Sequence, residues 1–285
     1  MNFNIITLGC KVNQYESQAM REDMLKNGFL LSDDRDRADI TIVNSCTVTS
    51  VSDAKNRKIL NRVRRENPDG IVILTGCMPQ AFPEESENFS NCDIVLGNAK
   101  RAELVPSIYK FLEEKQKFVH ITEHIGKGEK YENLSVSSLG EHTRAFIKIE
   151  DGCNRFCSYC IIPYARGRVR SRKPADVLGE IQRLAENGYQ EVVLTGIHLS
   201  SYGIDIEDDL LHLIEQVHEI EGIQRIRLGS LEPKIVTEEF AKRLSELEKI
   251  CPHFHLSLQS GCDATLERMN RKYTTEEYLS LIHIS

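Results

Sequence analysis

Short apolar runs alternate with amphipathic or charged stretches through the first hundred residues. Residues 3–8, 39–44, 71–75 and 93–96 read as strands, and residues 14–26, 52–66 and 101–112 as helices, the second ended by Pro68. Apolar strands separated by helices predict a parallel sheet covered on both faces. Residues 113–143, rich in Glu, Lys, Gly and Ser, predict a linker. A second alternation follows, with strands at 144–149, 191–195, 224–228 and 255–258 and helices at 174–187, 210–220, 238–247 and from 263. Gly188 is the expected stop of the first of these helices. Four β/α units fit a full or partial barrel, whose active site lies at the C-terminal strand ends.

Six of the cysteines fall at such strand ends. Cys153, Cys157 and Cys160 form a C-x3-C-x2-C run directly after the first strand of the second series. Three thiolates in one loop can bind three corners of an iron–sulfur cube, because soft sulfur suits iron. With no fourth cysteine nearby, one iron stays open to a non-protein ligand. The alternative is a zinc knuckle, although neither a second C-x2-C half-site nor a closely spaced His accompanies the run. Cys10, Cys46 and Cys77 each follow a strand of the first series. Parallel strand ends share one sheet edge, so these residues are expected close together, either as ligands of a second open cluster or as buried structural cysteines. Polar groups or glycine at the remaining strand ends are Gly196, Glu232, Gln259 and Ser260. His198 reads as a structural loop residue, and Cys92, Cys251 and Cys262 as packing residues.

Composition narrows the class further. The chain has 285 residues, 40% hydrophobic, enough for two domains with a sizeable core. No run approaches the roughly 20 apolar residues that span a bilayer. No signal peptide is visible at the N-terminus, and nine cysteines point to a reducing compartment, hence a cytoplasmic location. Net charge is −7, from 36 basic and 43 acidic residues, which argues against a simple nucleic-acid binder. Two basic stretches stand out. Lys55, Arg57, Lys58, Arg62, Arg64 and Arg65 crowd one predicted helix and read as a solvated face. Arg166, Arg168, Arg170, Arg172 and Lys173 follow the cysteine loop, where a role with an anionic substrate is expected.

Longer motifs carry a resemblance. Leu8-Gly9-Cys10-Lys11-Val12-Asn13-Gln14-Tyr15-Glu16-Ser17, Asn44-Ser45-Cys46-Thr47-Val48-Thr49, Thr75-Gly76-Cys77, the run from Asp151 through Gly167, and Leu256-Ser257-Leu258-Gln259-Ser260-Gly261-Cys262-Asp263 together resemble the radical S-adenosylmethionine (SAM) methylthiotransferases. Lys11-Val12-Asn13 is similar to the MtaB type, where the isopentenyladenosine type usually has Gln-Met-Asn and the ribosomal-protein type Pro-Lys-Asn. The resemblance implies an α/β protein: a parallel-sheet methylthiotransferase domain over 1–112, the linker over 113–143, and a partial radical SAM barrel over 144–285. It implies two 4Fe-4S clusters, on Cys153, Cys157 and Cys160 and on Cys10, Cys46 and Cys77. It also implies SAM contacts from Gly196, Glu232, Gln259 and Ser260. The implied reaction adds a methylthio group to carbon 2 of threonylcarbamoyladenosine beside the anticodon of tRNA, with SAM as radical source and methyl donor and an unidentified electron donor. Isopentenyladenosine tRNA or a ribosomal protein are the alternative substrates; a non-enzymatic iron–sulfur or zinc protein is the alternative of another class. Such enzymes normally continue beyond residue 274 with further barrel units and a small RNA-binding (TRAM) domain, so the barrel is expected incomplete and that domain absent. Residues 279–285 can be encoded by a common transposon-adapter sequence and are expected to be non-native.

Overall fold

The computed structural model describes residues 1–32, 37–122, 125–126, 130–132, 134–137 and 144–283. Much of the expected linker, and the last two residues of the expected non-native ending, lie outside the described residues. The chain divides into two compact units: Met1–Gly128 with Tyr164–Gly167, and Glu129–Pro163 with Arg168–Ser285. Among the described residues no helix is long and apolar enough to cross a membrane.

The first unit is built on six parallel strands: β1 (Asn2–Thr7), β2 (Leu30–Leu31), β3 (Ile40–Ser45), β4 (Ile71–Gly76), β5 (Ile94–Leu96) and β6 (Phe118–His120), in the order β2-β1-β3-β4-β5-β6. Its helices are α1 (Lys11–Lys26), α2 (Ser50–Glu66), α3 (Cys77–Ala81), α4 (Pro83–Glu87) and α5 (Leu104–Glu114). The central strands β3 and β4 are buried along their whole length, which is why they read as continuous apolar runs. Their side chains alternate between two cores. Ile40, Ile42, Ile71 and Ile73 join Met20 and Met24 of α1 and Leu104 and Ile108 of α5. Val43, Val72 and Leu74 join Leu60 and Val63 of α2, with Cys92 packed beside them as expected. The other side of α2 is wet: Lys55, Lys58, Arg62 and Arg65 are exposed, Arg57 pairs with Glu85, and Arg64 pairs with Asp93 at 2.5 Å. β6 cuts into the expected linker. Phe118, Val119 and His120 pair with Ile94, Val95 and Leu96 at the sheet edge, and three residues are too few to show a period.

The second unit holds a three-stranded parallel sheet, β7 (Ala145–Lys148), β10 (Glu191–Thr195) and β11 (Arg225–Leu228), in the order β11-β10-β7. A small antiparallel pair, β8 (Glu150–Asp151) with β9 (Arg170–Ser171), frames the cysteine loop. α6 (Ile162–Arg166) follows that loop, its residues from Tyr164 on belonging to the first unit, and α7 (Pro174–Glu186), α8 (Leu210–His218), α9 (Glu238–Ser245), α10 (Asp263–Arg268) and α11 (Thr275–Ser280) are the helices of the second. Pro174 opens α7 at its first turn, where a missing N–H costs nothing, and Thr237 caps α9 by accepting from Phe240 N–H. The expected strand at 255–258 reduces to a single parallel bridge, Leu231 to Leu256. His253, Phe254 and His255 there are exposed and bury no apolar face that would hold a longer ladder.

Candidate metal centres

In the first unit, three strand ends converge on one group of thiols. Cys10 caps the start of α1 just past β1, Cys77 opens α3 directly after β4, and Cys46 follows β3. Cys46 and Cys77 are buried and Cys10 is exposed. Gly9 has φ +103°, and a Cβ there would meet Cys46 Sγ at 2.9 Å, so the chain beside Cys10 lies directly on Cys46. Gly76 has φ +98°, and a Cβ there would lie 2.6 Å from Ser45 N. Asn13 ties two of the three strand ends together: its amide donates to the Leu8 and Ser45 carbonyls, both at 2.8 Å, and its Oδ1 faces Cys10 Sγ at 3.7 Å. Asn56 holds the Cys46 carbonyl, and Ser45 Oγ bonds the Thr75 carbonyl at 2.6 Å and accepts from Met78 N–H.

A guanidinium that the sequence had assigned elsewhere completes this site. Arg166 belongs to the first unit and is fully buried. Its Nε donates to Cys77 Sγ at 3.3 Å, Nη1 to Glu16 Oε1 at 2.8 Å, and Nη2 to Glu16 Oε2 at 3.0 Å and Asn13 Oδ1 at 2.7 Å. Arg101, also buried, meets the same Glu16 carboxylate at 3.0 Å. Burial pushes the Cys77 thiol up; Arg166 pulls it down, while Glu16 and Cys10 add to the rise. The expectation of an anionic substrate for the basic run fails for three of its members. Arg166 is bound to Glu16, Arg170 meets Asp151 at 3.5 Å, and Arg172 pairs with Glu180, all three buried. Only Arg168 and Lys173 face solvent. The sequence displays the charges but not the carboxylates, one of them 150 positions away, that neutralise them.

In the second unit the thiols come from one loop. Gly152 (φ +85°) and Phe156 (φ +48°) turn the chain between β8 and α6, the segment that carries Cys153, Cys157 and Cys160. Cys153 Sγ accepts from Arg155 N–H at 3.4 Å, and Arg271 Nη1 donates to Cys157 Sγ at 3.3 Å. Asn270, following α10, donates to the Arg155 and Phe156 carbonyls at 3.2 and 3.0 Å and pins the loop from below. Burial raises the Cys153 thiol to about 11, with Glu150, Cys160 and Cys157 adding to the rise.

The other strand ends gather around two carboxylates. Glu232 is met by His198 Nε2 at 3.3 Å, by Arg271 Nη2 at 3.6 Å, and by Arg155. Burial alone would raise the Glu232 carboxyl, but His198, Arg155 and Arg271 outweigh it and hold it below the ordinary range. His198 is therefore a carboxylate partner, with Ser201 Oγ on its Nδ1 at 2.6 Å. Glu150 went unnoticed in the sequence. It is buried, its Oε2 accepts from His198 N–H at 2.7 Å, its Oε1 has no hydrogen-bond partner among the described residues, and burial raises its carboxyl to about 8. A Cβ on Gly196 would lie 2.7 Å from Glu150 Oε2, so this carboxylate is what requires glycine there. Gln259 (φ +67°) is exposed and Ser260 half-buried, with Ser260 Oγ accepting from Cys262 N–H at 3.2 Å. Tyr273 fixes that turn through the Ser257 and Leu258 carbonyls, at 2.6 and 2.7 Å. Cys251 is buried as expected, but Cys262 is exposed at the N-cap of α10, not packed.

A β/α sheet that carries a C-x3-C-x2-C thiol loop beyond its first strand defines the radical SAM class. Family models agree in both halves: Uncharacterized protein family UPF0004 matches residues 2–97, and the Radical SAM superfamily matches residues 147–284. Over 272 residues the chain is 41% identical to the threonylcarbamoyladenosine tRNA methylthiotransferase MtaB of Bacillus subtilis (strain 168), covering 95% of this chain and 60% of the relative. It is 39% identical to MtaB of Aquifex aeolicus (strain VF5), covering 97% and 67% respectively. A tRNA-2-methylthio-N(6)-dimethylallyladenosine synthase of Clostridium novyi (strain NT) is 38% identical, with 98% and 63% covered. The chain belongs to the radical SAM methylthiotransferase family, in its MtaB-type branch. It spans about 60 to 67% of the length of these curated relatives. Among solved structures, the radical SAM methyltransferase TsrM from Kitasatospora setae, with tryptophan and a SAM analogue bound, shares the fold at TM-score 0.68 and 16% identity, over 99% of this chain and 65% of that one.

Proposed function

We propose that this chain carries the catalytic core of a tRNA methylthiotransferase that places a methylthio group on carbon 2 of threonylcarbamoyladenosine beside the anticodon, using SAM as radical source and methyl donor. One observation supports the reading: Cys10, Cys46 and Cys77 follow the neighbouring parallel strands β1, β3 and β4, while Cys153, Cys157 and Cys160 lie in the one loop between β8 and α6. Three thiols per set leave one corner of a cubane free for a non-protein ligand. Cys153, Cys157 and Cys160 would hold one 4Fe-4S cluster, Cys10, Cys46 and Cys77 a second, and Gly196, Glu232, Gln259 and Ser260 would contact SAM. When bound, these groups supply one-electron cleavage of SAM and the sulfur to be transferred.

The donor sets fit such groups. Each set offers three thiols, the soft donors that iron–sulfur clusters take. Each set also has one sulfur facing a guanidinium, Cys77 with Arg166 and Cys157 with Arg271, which suits ligands that carry negative charge. His198, Arg155 and Arg271 keep Glu232 ionised and fixed, so it can accept from an ammonium or hydroxyl group without reorganising.

The MtaB-type substrate is favoured by Lys11-Val12-Asn13. Asn13 is common to all three family patterns, and its bonds to two strand ends give it a structural duty; Lys11 and Val12 are the positions that vary. The partners of this reading are tRNA and an electron donor, in the cytoplasm. Anaerobic reconstitution should load about eight irons, two cubes' worth. Nucleoside mass spectrometry of tRNA from a deletion strain should show loss of the methylthio group from threonylcarbamoyladenosine. Loss from isopentenyladenosine instead would transfer the assignment to the other tRNA branch, and an unchanged nucleoside profile would favour a ribosomal protein. One zinc per chain with no SAM cleavage would mark a binding protein.

A further inference from the structure

We propose that Arg166 is a positioning residue for the first thiol set, and that its buried guanidinium sets the electron affinity of a cluster on Cys10, Cys46 and Cys77. The inference rests on the reading of that set as a cluster site and assigns a role within it. Arg166 has no exposed surface and all three of its nitrogens are engaged, so it cannot serve a phosphate or carboxylate arriving from solvent. The paired bonds to Glu16 fix the plane of the guanidinium. Asn13, which also binds the Leu8 and Ser45 carbonyls, fixes its edge. The remaining nitrogen, Nε, is thereby aimed at Cys77 Sγ at 3.3 Å. The trio of Arg166, Arg101 and Glu16 carries two positive charges against one negative, all out of water. A cation held 3.3 Å from a ligand sulfur in a water-free setting favours the state with one more electron. Hydrogen bonds to the sulfurs and local charge are the protein's main levers on such potentials.

The test uses the full-length chain with Cys153, Cys157 and Cys160 all changed to Ala, so that only the first set binds iron. Iron is counted after anaerobic reconstitution, and the midpoint potential is read by electron paramagnetic resonance during a dye-mediated reductive titration. Arg166→Gln should keep its iron and lower the midpoint by at least one tenfold step in the reduction equilibrium, 59 mV for one electron. Arg166→Lys keeps the charge but loses the fork, and should fall between wild type and Gln. Glu16→Gln removes the opposing charge and should raise the midpoint. If Arg166→Gln fails to load, the Lys and Glu16 variants decide. Shifts of opposite sign support the proposal, because general damage to the site has no reason to produce them. An unchanged midpoint in loaded variants, or shifts of the same sign, would overturn it while leaving the cluster reading intact. An absence of iron in the parent triple variant would overturn both.

Discussion

The two sets of three thiols are assembled by opposite routes. Cys153, Cys157 and Cys160 lie within eight residues of one loop, so their proximity is nearly guaranteed by covalent connection. Cys10, Cys46 and Cys77 are separated by 36 and 31 positions and meet only because β1, β3 and β4 are parallel neighbours in register. The local set needs special backbone at Gly152 and Phe156 and an outside clamp from Asn270. The distant set needs glycines where strand ends press together, and a buried amide, Asn13, to tie them. A site written in one loop is vulnerable at its turns; a site written across a sheet is vulnerable wherever that sheet is.

The largest effect should separate the two sets by function. Changing Cys153, Cys157 or Cys160 to Ala should abolish SAM cleavage, measured as release of the nucleoside fragment. Changing Cys10, Cys46 or Cys77 to Ala should spare that cleavage and stop methylthiolation. Full iron content in a variant lacking all three first-set cysteines would break the comparison at its root.

Next in size is a pH effect confined to the loop set. Folded Glu150 holds its proton up to about pH 8, whereas the ordinary carboxyl releases it near 4.5. Across that window the unfolded chain binds fewer protons, so stability should fall as pH rises from about 4.5 to 8, by an amount on the order of a few kcal/mol. Urea melts of the metal-free chain should show this slope and its flattening in Glu150→Gln. An identical slope in both would remove Glu150 from the account.

Gly76→Ala probes the sheet set. A positive φ and a Cβ 2.6 Å from Ser45 N together should cost about 2–3 kcal/mol in denaturant melts. Iron bound by the first set should fall while SAM cleavage persists. The smallest effect belongs to Cys262→Ser. The thiol is exposed at a helix N-cap, where serine caps well, so stability should change by less than about 0.5 kcal/mol with iron content unaltered.

What could be read from the sequence follows the same division. Strand-end cysteines were legible because buried parallel strands write long apolar runs, and their C-terminal ends must share an edge. The three strands β1, β3 and β4 lie within one or two residues of where periodicity put them. Phe118–His120 and the two-residue pair of β8 with β9 were not legible, since so few residues carry no period. Arg166 was misassigned because its partner Glu16 sits inside a helix with no local sign that it would be buried. Glu150 was missed because a single carboxylate at a strand end looks like any solvated residue until the backbone N–H of His198 is seen to fold over it. The expectation that Cys262 packs failed because its residue type favours burial but its position, just ahead of a helix, favours a cap.

The pairing of β1 with β3 and of β3 with β4 also imposes an order in time. Sixty-seven positions separate Cys10 from Cys77. At roughly 5–20 residues per second, synthesis leaves Cys10 waiting about 3–13 seconds for its last companion. During that interval its thiol stands on an unfinished sheet, alone until Cys46 emerges, and is open to oxidation or stray metal. The loop cysteines emerge within about two seconds of one another by the same rates. The sheet set therefore has its three thiols together only after β4 docks, whereas the loop set has all three before its own sheet exists. The two sets, alike in thiol number, are born with different exposure to error.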